Sequence, residues 1–296
     1  MLGDVQAFLD QHQHFLLTTH QQPDGDGLGS CVAFQDLLES TGKTSSILLC
    51  DPEPEALRFL DIRAEVFDRA KASPPATALI VLDTHRPERL GPLAECIHRE
   101  AWDVLCLDHH PKACDFGTVQ LLDPSACATG ILVYELYQHL DVELSFRAAR
   151  ALYTSLYSDT GRFAHGCEDG RAHLVAAACV QAGVRPGEIH QQMIQALTQE
   201  QACFLARVVA MTEAYCQGQL LVQTVSAADL QKLGTQQFDP TPLHAFNRGI
   251  EGAQCAVVLV ESAPNEVRIS VRSRPGLDIG RVMGYLGGGG HAQAAG

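Results

Sequence analysis

Three of this chain's short apolar runs end directly in Asp or His, and that repetition constrains the fold more than any other feature. Phe15–Thr19 (FLLTT) runs into His20 and then Pro23-Asp24-Gly25-Asp26, Ala78–Leu82 (ALIVL) into Asp83, and Val104–Leu107 (VLCL) into Asp108-His109-His110. Runs so short and so apolar read as strands buried on both faces, the condition of a parallel sheet covered by helices. Ser46–Cys50 adds another strand, and helical patterns over Gly29–Ser40, stopped by Gly42, and Pro87–Arg99 alternate with the strands. Such alternation predicts an α/β domain with a parallel sheet.

The pattern then changes twice. From Ser125 to about Tyr215 it is helical: Leu132, Leu136 and Leu140 share one face, and Ala149, Leu152 and Leu156 another. Gly183 and Pro186 punctuate this run, and Gln199–Tyr215 reads as a helical connector. After Gly218 come three strand-like runs, Gln219–Val225, Gln254–Val260 and Val267–Arg272, and a short helix, Asp278–Tyr285, that leads into Gly287–Gly290 and His291. The expectation is an α/β protein: a parallel-sheet domain over 1–185, a helical connector over 186–216 and a smaller α/β domain over 217–296. The length of 296 residues agrees with two domains at roughly 150 residues each.

Composition limits the function classes. With 35 Asp and Glu against 21 Lys and Arg, the net charge is −14, and only four of the cations are lysines. A protein that grips long duplex nucleic acid needs clustered cations, so that class is excluded. No apolar stretch is long enough to span a bilayer, and no basic start followed by an apolar run marks a secretory leader. None of the eleven cysteines forms a C-x-x-C pair. They read as reduced and mostly buried, in a cytoplasmic protein.

In open α/β sheets, ligands bind beyond the carboxyl ends of the strands. Three strands therefore deliver Asp and His to one edge, and Asp159, after the helical Ala151–Tyr157, adds another acid. Singly, each residue has a plainer reading: an Asp after a strand is usually a turn former or helix cap, and Asp26 would serve as a cap. Together, acids and imidazoles converging without Lys would repel strongly unless cations sit among them. Carboxylate oxygen mixed with imidazole nitrogen suits manganese best.

The same residues carry a family resemblance. His20 to Ser30 (HQQPDGDGLGS), Val81-Leu82-Asp83-Thr84, Asp108-His109-His110-Pro111 and Ser158-Asp159-Thr160-Gly161-Arg162-Phe163 resemble the four motifs of the DHH phosphoesterases, in order. Gly287-Gly288-Gly289-Gly290-His291 is similar to the GGGH motif of the DHH-associated C-terminal domain, DHHA1. The length and Arg248-Gly249-Ile250-Glu251-Gly252 are similar to the stand-alone subgroup of nanoRNases and pAp phosphatases.

The resemblance implies two divalent metal ions, most simply manganese. One would be held by His20, Asp24 and Asp83, the other by Asp26, Asp83, His109 and Asp159, with Asp83 bridging. His110 would face the scissile phosphate, giving it a hydrogen bond or giving the leaving oxygen a proton. Asp108 would orient a neighbouring imidazole. The C-terminal domain would hold the substrate through Arg272, Arg274, Gly288, Gly289, Gly290 and His291. Against that stand simpler readings: a solvated strand edge for the Arg pair and a flexible turn for the glycines. Family members usually continue past the GGGH motif, so a chain stopping at Gly296 is expected to expose a sheet edge.

The implied activity is metal-dependent exonucleolytic hydrolysis of very short oligoribonucleotides and dinucleotides to mononucleotides, with pAp converted to AMP. A homodimer is compatible with the resemblance. The near alternative is a phosphodiesterase for cyclic or linear signalling dinucleotides such as c-di-AMP, pApA or pGpG. A non-catalytic nucleotide-binding module on the same fold would be expected to lack at least one of Asp24, Asp26, Asp83, His109 or Asp159, and all are present.

Overall fold

The computed structural model describes residues 1–68, 78–100, 102–110, 116–194, 198–234, 238–263 and 266–296, without the side chains of 98–100 and 291. Pro111 of the third motif therefore lies outside the described residues, as does the His291 side chain. The chain divides into two units, Met1–Gln195 and Ala196–Gly296.

In the first unit the order is α1 (Leu2–Gln11), β1 (His14–Thr18), α2 (Gly25–Ser40), β2 (Thr44–Leu49), β3 (Ala64–Val66), β4 (Ala78–Leu82), α3 (Leu93–Glu100), β5 (Asp103–Asp108), β6 (Val119–Leu122), α4 (Thr129–His139), α5 (Phe146–Asp159), α6 (Arg171–Gln181) and α7 (Pro186–Met193). The strands form one sheet in the order β3-β2-β1-β4-β5-β6, and every neighbouring pair is parallel. All five residues of β4 are buried. Their side chains alternate between two cores, as the two-residue period of a strand requires. Ala78, Ile80 and Leu82 enter the core shared with α2, α4 and α5, while Leu79 and Val81 enter the one shared with α3.

Helix α2 begins at Gly25, four residues earlier than the sequence pattern predicts. The Asp24 side chain caps it, accepting from the N–H groups of Asp26 (3.0 Å) and Gly27 (3.1 Å). Asp26 is thus inside the first turn, and the cap is its neighbour. Glycine is a poor helix former, but here it lets backbones meet. A Cβ on Gly27 would stand 2.2 Å from Thr19 Oγ1, and one on Gly29 2.5 Å from the Ala151 carbonyl oxygen on α5.

The second unit contains α8 (Gln199–Ala210), β7 (Glu213–Tyr215), β8 (Leu220–Val225), α9 (Ala227–Lys232), α10 (Thr241–Arg248), β9 (Cys255–Ala263), β10 (Glu266–Ser273), α11 (Ile279–Gly284), β11 (Gly290–His291) and β12 (Ala294–Ala295). Its sheet runs β11-β12-β10-β9-β8-β7, with β8 and β9 parallel and the other pairs antiparallel. Phe204, Val208, Val225, Leu230, Leu243, Val258 and Val260 form one core, and Val271, Ile279, Met283 and Ala295 another. The helix predicted over Gln199–Tyr215 ends at Ala210, and Glu213–Tyr215 is a strand. Cys216, Gln217 and Gly218 all take positive φ (53°, 59° and 87°), a turn that folds β7 back onto β8. Among the described residues, no helix is long and apolar enough to cross a membrane.

Candidate metal centre

The chain leaves β1 toward β2 and β3 on one side of the sheet, and leaves β4 toward β5 and β6 on the other. Between β1 and β4 the connections diverge, which opens a crevice at the carboxyl ends of the strands. His20 and Asp24 follow β1, Asp83 follows β4, and Asp108 closes β5 ahead of His109 and His110. Asp159 is the last residue of α5. Asp83 sits at φ 65°, a left-handed conformation uncommon outside glycine, with its N–H on the Leu107 carbonyl at 2.9 Å. Backbone strain of this kind turns the carboxylate off the strand axis and into the crevice.

Three groups of potential ligands result among the described residues, each with one donor atom per residue within 4.8 Å of the others: His20, Asp24 and Asp83; Asp26, His109 and Asp159; and Asp83, Asp108, His109 and His110. Asp83 belongs to two of them. Its Oδ2 is 3.3 Å from His20 Nε2, and its Oδ1 is 3.5 Å from His109 Nε2. His109 Nε2 also has Asp159 Oδ2 at 3.4 Å and Asp26 Oδ2 at 3.7 Å.

Both imidazoles are fixed from behind. His20 Nδ1 donates to the Gln21 carbonyl at 2.7 Å, and His109 Nδ1 to that of Ala126 at 3.1 Å. A carbonyl only accepts, so each Nδ1 carries the proton and each Nε2 turns a lone pair toward the acids. His109 Nε2 is buried and makes no hydrogen bond. A buried nitrogen lone pair ringed by carboxylate oxygens is costly in an empty site and correct around a cation. The donor set therefore fits a divalent metal ion.

Asp26 is completely buried, and its support comes from elsewhere in the chain. Its carboxylate accepts from Thr129 N (2.7 Å) and Gly130 N (3.2 Å), at the positive end of α4, and from Ser155 Oγ (2.6 Å) and Ser30 Oγ (3.2 Å). Thr129 Oγ1 also donates to Asp83 Oδ1 at 3.0 Å. Thr129 and Ser155 lie outside the four motifs. The available signal was weak: a Thr-Gly pair opening a helix.

Asp108 belongs to the third group, but both its oxygens are engaged by imidazoles. Its Oδ1 accepts from His110 N (3.1 Å) and Nδ1 (2.8 Å), and its Oδ2 receives His85 Nδ1. Burial alone would raise its pKa, but the hydrogen bond and charge of His110, with help from His85, hold it down at about 2. An ionised Asp108 thus orients two imidazoles. His85, only 1% exposed, was not singled out from the sequence, although it lies two residues past Asp83.

The remaining acids strain against one another. Burial, followed by the charges of Asp26, Asp24, Asp159 and Asp108, pushes the Asp83 pKa well above the usual carboxylate value. Burial, followed by Asp26 and Asp24, lifts Asp159 to about 8. No Lys or Arg pairs with these acids among the described residues. A carboxyl whose pKa rises on folding stabilises the fold while protonated, and that contribution is lost as pH climbs from 3.8 through about 8. The metal-free protein is accordingly expected to lose thermal stability across that interval. Because a cation displaces those protons, the stabilisation by manganese should grow with pH. Melting curves at several pH values, with and without manganese, check this; a gain independent of pH would contradict it.

In the second unit, Arg272 lies on β10 with Nη1 on the Val271 carbonyl at 2.9 Å. Burial and then the neighbouring Arg248 lower its pKa. His244 on α10 is 2% exposed and bonds Ser270 Oγ at 3.0 Å. Burial, then Arg272 and Arg248, depress it to about 4. The Arg272 and Arg248 guanidiniums are the electrostatic reverse of the acid cluster and keep the buried His244 neutral near pH 7, and nothing around His244 in the sequence marks it. Arg274 falls beyond β10, and its guanidinium donates to the carbonyls of Ala253 (2.7 Å) and Arg248 (3.2 Å). Gly288 N bonds the Met283 carbonyl at 3.0 Å and Gly289 N that of Gly296 at 2.9 Å, so both N–H groups have internal acceptors. The His291 backbone lies in β11.

A model of the DHH family N-terminal domain matches residues 14–156, and a DHHA1 domain model matches residues 245–296. The chain is 31% identical over 281 residues to the bifunctional oligoribonuclease and PAP phosphatase NrnA of Thermus thermophilus, covering 95% of this chain and 82% of that one. It is 24% identical over 284 residues to the protein of the same description from Bacillus subtilis, covering 95% and 88%. Among solved structures, an exopolyphosphatase-related protein from Bacteroides fragilis superposes with a TM-score of 0.91 at 17% identity, covering 99% of this chain and 89% of that one.

Proposed function

The chain belongs to the DHH family of phosphoester hydrolases with a DHHA1 domain, and on that premise we propose that it hydrolyses very short RNA to mononucleotides and pAp to AMP. The observation that carries the reading is the unbonded His109 Nε2 among three carboxylates, beside the second group of His20, Asp24 and Asp83. Two divalent ions, manganese by donor chemistry, would be held by His20, Asp24 and Asp83 and by Asp26, Asp83, His109 and Asp159. When bound they would activate water and offset charge on the phosphoryl oxygens. His110, held at Nδ1 by Asp108, would turn its other nitrogen to the phosphate or the leaving oxygen. Arg272 and His291 are proposed to receive the substrate's other phosphate.

Short substrates follow from charge. A net charge of −14 disfavours a basic track along which a long strand would be drawn. The unbridged cysteines among the described residues support a cytoplasmic setting. The test is a time course on labelled RNA, from dinucleotides up to long single strands, beside pAp and cyclic di-AMP, with manganese or with EDTA. Manganese-dependent loss of the shortest chains and of pAp is expected. Equal turnover of long strands would defeat the length claim, and turnover of cyclic di-AMP alone would assign the protein to signalling instead.

A further inference from the structure

Cys127 and Cys167 lie in two loops that meet beside the metal centre. Cys127 precedes α4, and Cys167 lies in the loop between α5 and α6. The loops are locked together by Arg171, which donates to Asp123 (2.7 Å) and Ser125 (2.8 Å) in the first and to Asp169 (2.6 Å) in the second. They approach so closely that a Cβ on Gly166 would stand 2.9 Å from the Cβ of Cys127. Cys167 Sγ donates to the His165 carbonyl at 3.3 Å, and the two thiols are close enough to perturb each other's ionisation. All ten cysteines among the described residues are unbridged.

We propose that Cys127 and Cys167 form a reversible disulfide that weakens metal binding, so that an oxidant controls the centre. The oxidant class is a small disulfide such as oxidised glutathione. The Cys167 thiolate attacks one of its sulfurs, the S–S bond breaks, and the first glutathione leaves as a thiolate that takes up a proton. The Cys127 thiolate then attacks the mixed disulfide and expels the second. The protein loses two hydrogens and the oxidant gains them. Burial raises both thiol pKa values, that of Cys127 to about 12, so the resting pair is protonated and exchange starts at the less enclosed Cys167.

The effect on the metal follows from what flanks Cys127. The Ala126 carbonyl fixes His109, the N–H groups of Thr129 and Gly130 hold Asp26, and Thr129 Oγ1 holds Asp83. Joining the sulfurs requires them to close to a bond of about 2 Å, which moves Cys127 against those contacts. Loss of such supporting bonds typically costs about tenfold or more in metal affinity.

This inference rests on the metal-centre reading, and the experiment separates the two. The purified chain is treated with oxidised glutathione, mapped by mass spectrometry without reduction, and titrated with manganese before and after. The expected results are a Cys127–Cys167 peptide, manganese affinity about tenfold lower, full recovery with a thiol reductant, and no response in Cys167→Ser. Links among other cysteines, no link at all, or this link with unchanged affinity would overturn the proposal. If the reduced protein binds no manganese, the metal-centre reading fails, and with it the claim that oxidation weakens binding; the peptide map still judges the disulfide.

Discussion

Asp83→Asn is expected to remove manganese-dependent hydrolysis, by about a thousandfold or more, while the chain stays folded. The magnitude corresponds to losing roughly 4 kcal/mol of metal-assisted charge stabilisation. Asparagine is the informative replacement because it tolerates the left-handed backbone at φ 65°, where alanine would be strained. Its side-chain oxygen can still accept from Thr129 Oγ1, so the local hydrogen bond survives. What disappears is the charge facing both His20 and His109. The same substitution should raise the melting temperature of the metal-free protein above neutral pH, because it removes one of several acids that repel one another. It should also abolish the gain on adding manganese. Loss of activity with an intact manganese-induced shift would contradict the role of Asp83.

Asp108→Asn should act with the opposite sign on stability. Asp108 is fully buried and ionised, and its two oxygens accept from His110 and His85. An amide offers one acceptor and places an N–H₂ against an imidazole N–H, so one bond becomes a clash. A loss of about 2 kcal/mol of stability is expected from breaking a buried charged hydrogen bond. Turnover should fall about a hundredfold as His110 loses its orientation, and metal affinity should change much less. Normal turnover in the variant would remove Asp108 and His110 from the chemistry.

These residues also show how far the sequence could be read. β4 is visible because all five residues are apolar and buried on both faces, and its end marks Asp83. β3 is invisible because three residues, partly or fully exposed, carry no periodicity. The start of α2 was hidden because Gly25, Asp26, Gly27 and Gly29 are poor helix formers, placed there by close contact with β1 and α5. The ligand candidates were legible since they cluster at strand and helix ends. Their supports were not: Thr129, Ser155 and His85 reach the acids only through tertiary contacts 103, 129 and 23 residues away along the chain. The turn at Cys216–Gly218, which converts a predicted helical end into β7, rests on positive φ at two non-glycine residues, and no sequence rule flags it.

The acids and imidazoles at the carboxyl ends of β1, β4 and β5 are proposed to form a two-ion phosphoesterase centre. The most direct measurement titrates metal-free protein with manganese, counting bound ions per chain while following hydrolysis of a dinucleotide. Two ions per chain are expected, with turnover that rises only as the second site fills. Full turnover with no metal, or with a single ion bound, would contradict it.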